Sequence, residues 1–279
     1  MTETKAQKEC PYCHEGKIIV GDSDLQANVM IHRQGLGALH VREATGDIVM
    51  AKLGRDELYT IAGVNQHTEF EKFIRDLLFK PKERNSFYKK ILAINSNVST
   101  DTFREYFEEY AAERKSQQQD FTPNSVSELL AKIARNDNSS ESGWSGYDPT
   151  AGTGSLIIKK WNDDRLAETP FSYAPHNYLY MVEEFGDNVI PYLLHNIAIR
   201  GMNCVVIHGD TLERNIKQIY FVQNSHDDYM GFSDINVMPH TDKVKEEFNV
   251  SNWSEKAIEH VESDKVAYIP ALPMHRKHI

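Results

Sequence analysis

Residues 148–157 of the chain read Asp148-Pro149-Thr150-Ala151-Gly152-Thr153-Gly154-Ser155-Leu156-Ile157. An acid and a proline precede two glycines that are one residue apart, and apolar residues follow directly. This order is typical of a strand that ends in a tight turn before a helix begins. Glycine in such a turn lets the backbone approach a ligand closely. The stretch therefore predicts a ligand-binding loop between a strand and a helix.

The residues on either side of this glycine loop predict an α/β sheet. Strand patterns at 144–148, 178–182 and 204–208 alternate with helix patterns at 155–161 and 189–199. This alternation is typical of a parallel sheet covered by helices. Ligands of such sheets bind outside the carboxyl ends of the strands. All three strand ends carry acids, which are Asp148, Glu183-Glu184 and Asp210.

The type of ligand follows from these acids. A carboxylate after the second strand can accept hydrogen bonds from two ribose hydroxyls, and one after the third strand can meet an adenine amino group. The glycines are not followed by Gly-Lys-Ser/Thr, which argues against a nucleoside triphosphate. A Gly-x-Gly alone is usually only a turn, and a strand-end acid alone is usually only solvated. Their shared order favours a nucleoside-type cofactor.

Length, composition and charge limit the class of protein. The chain has 279 residues, is 40% hydrophobic and carries a net charge of −10. We expect a cytoplasmic protein without a membrane span, because apolar runs stay short of about 20 residues and the three cysteines form no disulfide framework. The acidic charge argues against a surface that grips DNA everywhere. A DNA substrate would need a local basic surface or a partner.

We divide the chain into three regions. Residues 1–63 predict a small β-rich module, 64–118 a helical segment, and 119–279 an α/β domain. Cys10 and Cys13 in the first region have the spacing of half a zinc site and resemble one knuckle of small phage-type zinc ribbons. His32 or His40 could add ligands. We favour the alternative, that both cysteines are small apolar residues, because the second cysteine pair is absent.

An ordered set of motifs resembles the modification subunit of type I restriction–modification systems. The set comprises Phe121-Thr122-Pro123, the glycine loop, Asn196-Ile197-Ala198-Ile199-Arg200-Gly201-Met202 and Gly209-Asp210-Thr211-Leu212. The resemblance covers about residues 85–215, and a phage-encoded, shortened version is one interpretation. It implies a Rossmann-like sheet and S-adenosylmethionine-dependent methylation of adenine N6 in DNA, with a DNA-specificity partner. Residues 119–279 would then be a methyltransferase-like α/β domain that is shortened at the C-terminus.

The resemblance also implies roles for individual residues. Phe121, Thr122 and Pro123 would contact the methionine end of the cofactor. Glu183 would hold its ribose, and Asp210 would lie on its adenine side. The rest of the expected cofactor site is Asp148, Thr150, Gly152, Gly154, Ser155 and Thr211.

The catalytic tetrapeptide of that family, Asn/Asp/Ser-Pro-Pro-Tyr/Phe, has no intact counterpart in the chain. The segment after Asp210 instead contains Asn236-Val237-Met238-Pro239-His240. It could be a degenerate version in which Asn236 or Asp234 accepts the N6 hydrogens and His240 stacks on the base. The candidate catalytic residues are then Asn236, Asp234, Pro239 and His240. Alternatively, the segment is an unrelated loop.

Three functions remain open from the sequence. The first is an adenine-N6 DNA methyltransferase that acts with a specificity partner. The second is a catalytically inactive cofactor-binding or decoy protein that engages a restriction system or another host complex. The third is a small-molecule methyltransferase, which the Phe-Thr-Pro and Asp-Pro-Thr signatures disfavour.

Overall fold

The computed structural model describes residues 7–9, 17–19, 53–113, 145–169 and 172–266. The chain divides into two compact units, residues 1–48 and 49–279. In the first unit, strand β1 (Gln7–Glu9) pairs antiparallel with β2 (Lys17–Ile19). The predicted bounds of the three regions remain a prediction.

The second unit begins with four helices. They are α1 (Arg55–Ala62), α2 (His67–Leu77), α3 (Pro81–Ile94) and α4 (Arg104–Glu113). Helix α2 buries Phe70, Ile74 and Leu77, whose spacing of three and four residues puts them on one face. Helix α1 falls within the range predicted to be β-rich, yet it is helical and buries Leu58. None of the helices in the described part of the chain is long and apolar enough to cross a membrane.

A six-stranded sheet forms the centre of this unit. Five strands lie side by side in chain order, and β8 (Asn252–Trp253) pairs with β6 in addition. The five are β3 (Gly146–Asp148), β4 (Tyr180–Glu184), β5 (Cys204–Asp210), β6 (Asn215–Gln223) and β7 (Asp234–Val237). Strands β3, β4 and β5 are parallel, as the sequence predicts, whereas β6 and β7 are antiparallel to their neighbours.

The change of direction at β6 has a simple cause. Only residues 211–214 join β5 to β6. A parallel neighbour needs a crossover of a dozen residues or more, whereas a short turn suffices for an antiparallel one. The left-handed backbone of Arg214, with φ of 57°, helps to close this turn. The predicted α/β fold is confirmed, with an antiparallel extension on one side.

Helices cover both faces of the sheet. Helix α5 (Ser155–Ala167) follows β3, and α6 (Ile190–Ala198), all of whose residues are buried, follows β4. One core joins α6 and the N-terminal helices to Val182 and Val206 of the sheet. A second core, on the opposite face, joins Val205 and Ile207 to α7 (Asp242–Glu247) and the residues after it. The carboxyl ends of β3, β4 and β5 therefore meet at one edge of a firmly packed sheet.

Candidate functional site

The glycine loop has one packed side and one open side. Gly152 and Gly154 both have left-handed backbones, with φ of 57° and 98°. A Cβ atom on Gly154 would lie 2.9 Å from Leu193 Cδ1, whereas one on Gly152 would meet no atom of the described residues within 4 Å. Left-handed backbone favours glycine at both positions. The chain thus packs tightly against α6 at Gly154 and leaves space beside Gly152.

The structure brings the predicted strand ends together at this loop. The Ala151 amide donates to the Glu183 carbonyl at 2.9 Å, which joins the loop to the end of β4. The Thr211 hydroxyl donates to the Pro149 carbonyl at 3.3 Å, which joins the loop to the residue after β5. Within the loop, the Thr150 amide donates to Asp148 Oδ1 at 3.1 Å. We call this junction of the glycine loop with the ends of β4 and β5 the loop edge.

Glu183 and Glu184 differ sharply in their surroundings, because successive strand residues face opposite sides of a sheet. Glu183 is buried and accepts from the Tyr147 hydroxyl at 2.7 Å and from Arg214 Nη1 at 2.5 Å. Glu184 is partly exposed and accepts from the Gly152 amide at 2.8 Å and the Gly186 amide at 2.6 Å. Glu184, rather than Glu183, is thus the acid that contacts the glycine loop.

Three carboxylates border the loop edge, those of Asp148, Glu184 and Asp210. Burial raises the pKa of Asp148 above its usual value, and the nearby charge of Glu184 adds to this effect, while the Thr150 amide bond opposes it. Asp210 Oδ1 accepts from the amides of Leu212 and Glu213 at 2.8 and 2.9 Å. A carboxylate has about four acceptor sites, so Glu184 and Asp210 keep capacity for hydroxyl or amino donors.

A buried polar network holds the glycine loop from beneath. Asp101, which precedes α4, accepts at Oδ2 from the hydroxyls of Thr153 and, at 3.4 Å, Ser155. Its Oδ1 accepts from Asn196 Nδ2 at 2.7 Å, and the same Nδ2 donates to the Thr153 carbonyl at 2.8 Å. Arg200 Nη1 donates to Asn196 Oδ1 at 3.0 Å. This network connects α4, the loop and α6.

The predicted catalytic residues are not brought to the loop edge. Asn236 and Asp234 belong to β7, which is four strands from β3. At about 4.8 Å per strand spacing, that separation is about 19 Å. The Asn236 amide is buried and fully used, because it donates to the Phe221 carbonyl and Ser263 hydroxyl and accepts from the amides of Glu262 and Ser263.

The neighbours of Asn236 are likewise engaged in the structure. Asp234 Oδ2 accepts from the hydroxyls of Ser225 at 2.6 Å and Ser263 at 2.8 Å. The His240 ring stacks on Trp253, with centroids 3.8 Å apart and planes inclined by 7°. Pro239, which precedes His240, is exposed. The catalytic role of these four residues stays a prediction, and their present contacts are structural.

Other predicted positions lie outside the described residues. These are Phe121, Thr122 and Pro123 of the expected methionine site, and Cys10 and Cys13 of the half zinc site. Among the residues that are described, no cluster of three or more His, Cys, Asp or Glu side chains could hold a metal ion.

The sequence leaves one contributor to the loop edge undecided and gives little sign of another. Glu184 belongs to the predicted acidic strand end, but only the folded strand shows that its side chain, and not that of Glu183, turns towards the loop. Asp101 carries only the signal of a helix cap, and it does accept from the Phe103 amide at 2.9 Å. Its contact with Thr153 joins positions 52 residues apart in the chain, and no local pattern reveals such a contact.

A comparison with protein families gives one match. The model described as N-6 DNA methylase matches residues 95–269, which is more than half of the chain. The matched range begins before Asp101 and includes the glycine loop and the whole six-stranded sheet. No curated protein matches the chain.

Proposed function

The chain belongs to the N-6 DNA methylase family, and we therefore propose that it binds S-adenosylmethionine at the loop edge and transfers a methyl group to adenine N6 of DNA. The observation that carries this proposal is the open side of the loop at Gly152, bordered by the acids of three parallel strand ends. A ligand site at this position is the rule for such sheets.

The residues present fit the proposed cofactor. The space beside Gly152 admits a ligand against the backbone, and Glu184 can accept from ribose hydroxyls. We assign the ribose to Glu184 in place of Glu183, because Glu183 is 3% exposed and paired with Arg214. Glu184 is partly exposed and accepts from two backbone amides, which leaves acceptor sites on its carboxylate. Asp210 remains the candidate for the adenine side. When bound, S-adenosylmethionine supplies a methyl group on a positively charged sulfur.

Helix α5 adds a favourable electrostatic feature. It begins directly after Gly154, and no side chain caps it. The N-terminus of a helix carries a partial positive charge and exposes amide donors, so it attracts carboxylates. The methionine carboxylate of the cofactor is suited to this position. The positive sulfur is suited to the acidic surroundings of Asp148 and Glu184.

The base side of the reaction places a further demand on the protein. An adenine in a duplex must be flipped out before its N6 can approach the cofactor. The enzyme must then hold N6 in line with the methyl group, because alignment supplies much of the rate enhancement. Asn236 and Asp234 remain our candidates for accepting the N6 hydrogens, with His240 as the stacking ring. In that role, β7 or its following loop would have to leave its present contacts.

We further propose that DNA is delivered by a specificity partner, as in type I modification complexes in the cytoplasm. The net charge of −10 supports this proposal. Proteins that bind DNA unaided gain most of their affinity by neutralising phosphates with basic side chains. If a partner carries the surface that contacts the DNA, this chain does not itself need a large basic surface.

A second candidate function is cofactor binding without turnover, in a protein that engages a restriction system or another host complex. The specific observation in its favour is the saturated, buried Asn236 amide on β7. In this alternative the loop edge still binds the cofactor, but no base is methylated.

Transfer of a labelled methyl group from S-adenosylmethionine to DNA separates the two functions. The assay uses the full chain, alone and with candidate specificity subunits, and Glu184→Gln as a variant that should lose the cofactor. Label in adenine N6 that disappears in Glu184→Gln supports the enzyme. Intact cofactor binding without transfer under any pairing would reject the enzyme and favour the binding protein.

A further inference from the structure

On its inner side the glycine loop is anchored at Thr153, which lies between the two left-handed glycines. Its hydroxyl donates to Asp101 Oδ2, and its carbonyl accepts from Asn196 Nδ2 at 2.8 Å. Thr153 is 2% exposed, so both contacts are shielded from water. The loop is therefore held on its inner side at Thr153, while its outer side at Gly152 remains open.

Asn196 has a hydrogen-bonding pattern that only an amide can satisfy. Its Nδ2 donates to Asp101 and to the Thr153 carbonyl, and its Oδ1 accepts from the Thr102 amide and from Arg200, both at 3.0 Å. Both donors and both acceptor positions of the amide are in use. A carboxylate at this position would face Asp101 without a proton to donate.

Asp101 is the point at which the three segments meet. Its carboxylate accepts from the Phe103 amide of its own segment, from Asn196 of α6, and from Thr153 and Ser155 of the loop. It is 8% exposed. Hydrogen bonds to a carboxylate are shorter and stronger than those between neutral groups. Asp101 is therefore well suited to fix the geometry of the loop.

We propose that Asp101 is a positioning residue of the S-adenosylmethionine site, which sets the loop conformation through Thr153 and thereby makes the segment before α4 part of that site. This inference rests on the proposed cofactor binding. It assigns Asp101 no contact with the cofactor, because its carboxylate is on the inner side of the loop. Cofactor affinity thus depends on a residue outside the strand-end motifs.

The test is a titration of S-adenosylmethionine, followed by calorimetry, on the full chain and three variants. Asp101→Asn removes an acceptor beneath the loop, and Thr153→Val removes the hydroxyl donor with little change of shape. Thr153→Ser restores the hydroxyl. We expect each of the first two to weaken binding about tenfold, and Thr153→Ser to bind within about twofold of the original chain.

Tyr88→Phe is the matched control for loss of stability. The Tyr88 hydroxyl bonds His195 Nδ1 at 2.7 Å, so this variant removes a buried hydrogen bond to the residue next to Asn196 without touching the loop. A melting temperature lowered as in Asp101→Asn, together with unchanged cofactor affinity, would show that reduced stability alone does not weaken binding.

The outcomes separate this inference from the proposed function. If the unmodified chain does not bind S-adenosylmethionine, both are rejected. If the chain binds and Asp101→Asn and Thr153→Val bind equally well, only the positioning role is rejected. If Asp101→Asn does not fold, Thr153→Val and Thr153→Ser decide alone, since they leave the other bonds of Asp101 in place. Equal weakening by Tyr88→Phe would also overturn the inference.

Discussion

Two polar clusters lie towards opposite ends of the strand order β3 to β7. They differ in their exposure and in their remaining capacity to accept hydrogen bonds. At the loop edge, Glu184 and Asp210 are partly exposed, and no atom of the described residues lies within 4 Å of a Cβ placed on Gly152. Around β7, Asn236 is 2% exposed and makes four hydrogen bonds within the protein. We call the second group, built from Asp234, Asn236, Glu262 and Ser263, the β7 cluster.

The comparison shows that carboxylate side chains can stabilise the fold in one place and remain able to bind a ligand in another. Buried polar groups that are fully hydrogen-bonded stabilise one structure, whereas groups with spare acceptor capacity can bind a ligand. The β7 cluster ties residues 260–263 to the sheet through Val237, Asn236 and Ile235. It has the properties of a structural cluster, and the loop edge has those of a binding site.

The largest expected effect is on the β7 cluster. Glu262→Gln breaks the buried pair with Arg84, whose Nη2 lies 2.6 Å from Glu262 Oε2, and both side chains are almost fully buried. Loss of one partner of a buried pair costs about 3–5 kcal/mol of unfolding free energy. Denaturant unfolding should show this loss, while calorimetry should show unchanged S-adenosylmethionine affinity. Weaker S-adenosylmethionine binding by folded Glu262→Gln would contradict this, because it would show that the β7 cluster affects the loop edge.

The same pair predicts an acid-sensitive stability. Burial alone would raise the pKa of Glu262, but the bond and charge of Arg84 outweigh it and hold the pKa below the usual value. The unfolded chain then binds more protons than the folded one as the pH falls below the usual glutamate range of about 4.5. The contribution of Glu262 is present above that pH and is lost as the pH falls through the folded pKa. This loss should be absent from the stability curve of Glu262→Gln.

Glu183 and Glu184 give the next largest contrast. Glu183→Gln removes a charged acceptor from Arg214 and Tyr147 and should cost about 1.5–3 kcal/mol of stability, with little change in cofactor affinity. Glu184→Gln should cost less stability and weaken binding about tenfold or more. Melting curves and calorimetry on both variants check this. The reverse assignment, with binding lost only in Glu183→Gln, would return the ribose to Glu183.

The two glycines divide the loop into a packed and an open part. Gly154→Ala adds a Cβ that would lie 2.9 Å from Leu193 Cδ1 in a left-handed backbone, and it should cost about 2 kcal/mol of stability. Gly152→Ala carries only the backbone strain of about 1 kcal/mol. Both should weaken cofactor binding, Gly154→Ala by distorting the loop and Gly152→Ala by filling its open side. Unchanged affinity in Gly152→Ala would argue that the ligand lies elsewhere.

The smallest expected effect is that of Asp148→Asn, which should raise stability and weaken cofactor binding. Because burial raises the pKa of Asp148, its contribution to stability is present below the usual aspartate pKa and is lost as the pH rises through the folded value. Asp148→Asn should therefore stabilise the chain by up to about 1 kcal/mol at neutral pH. It should also weaken binding of the positively charged cofactor. A variant that is less stable at neutral pH would contradict this assignment.

Particular residues show how much of this could be predicted from sequence. The strand–loop–helix order around Asp148 was predictable because glycine spacing and apolar runs are local signals. The antiparallel β6 was not foreseen, although the short stretch between Asp210 and Asn215 leaves no room for a crossover helix. The choice between Glu183 and Glu184 depends on strand register, which a one-residue shift would reverse. The contact of Asp101 with Thr153 arises only in the folded chain.

The most direct test of the central claim is amide hydrogen exchange of the full chain with and without S-adenosylmethionine. We expect added protection in peptides that cover 148–154 and 183–186, and none in peptides that cover 234–240. Protection confined to 234–240, or no protection anywhere at saturating S-adenosylmethionine, would contradict the assignment of the cofactor to the loop edge.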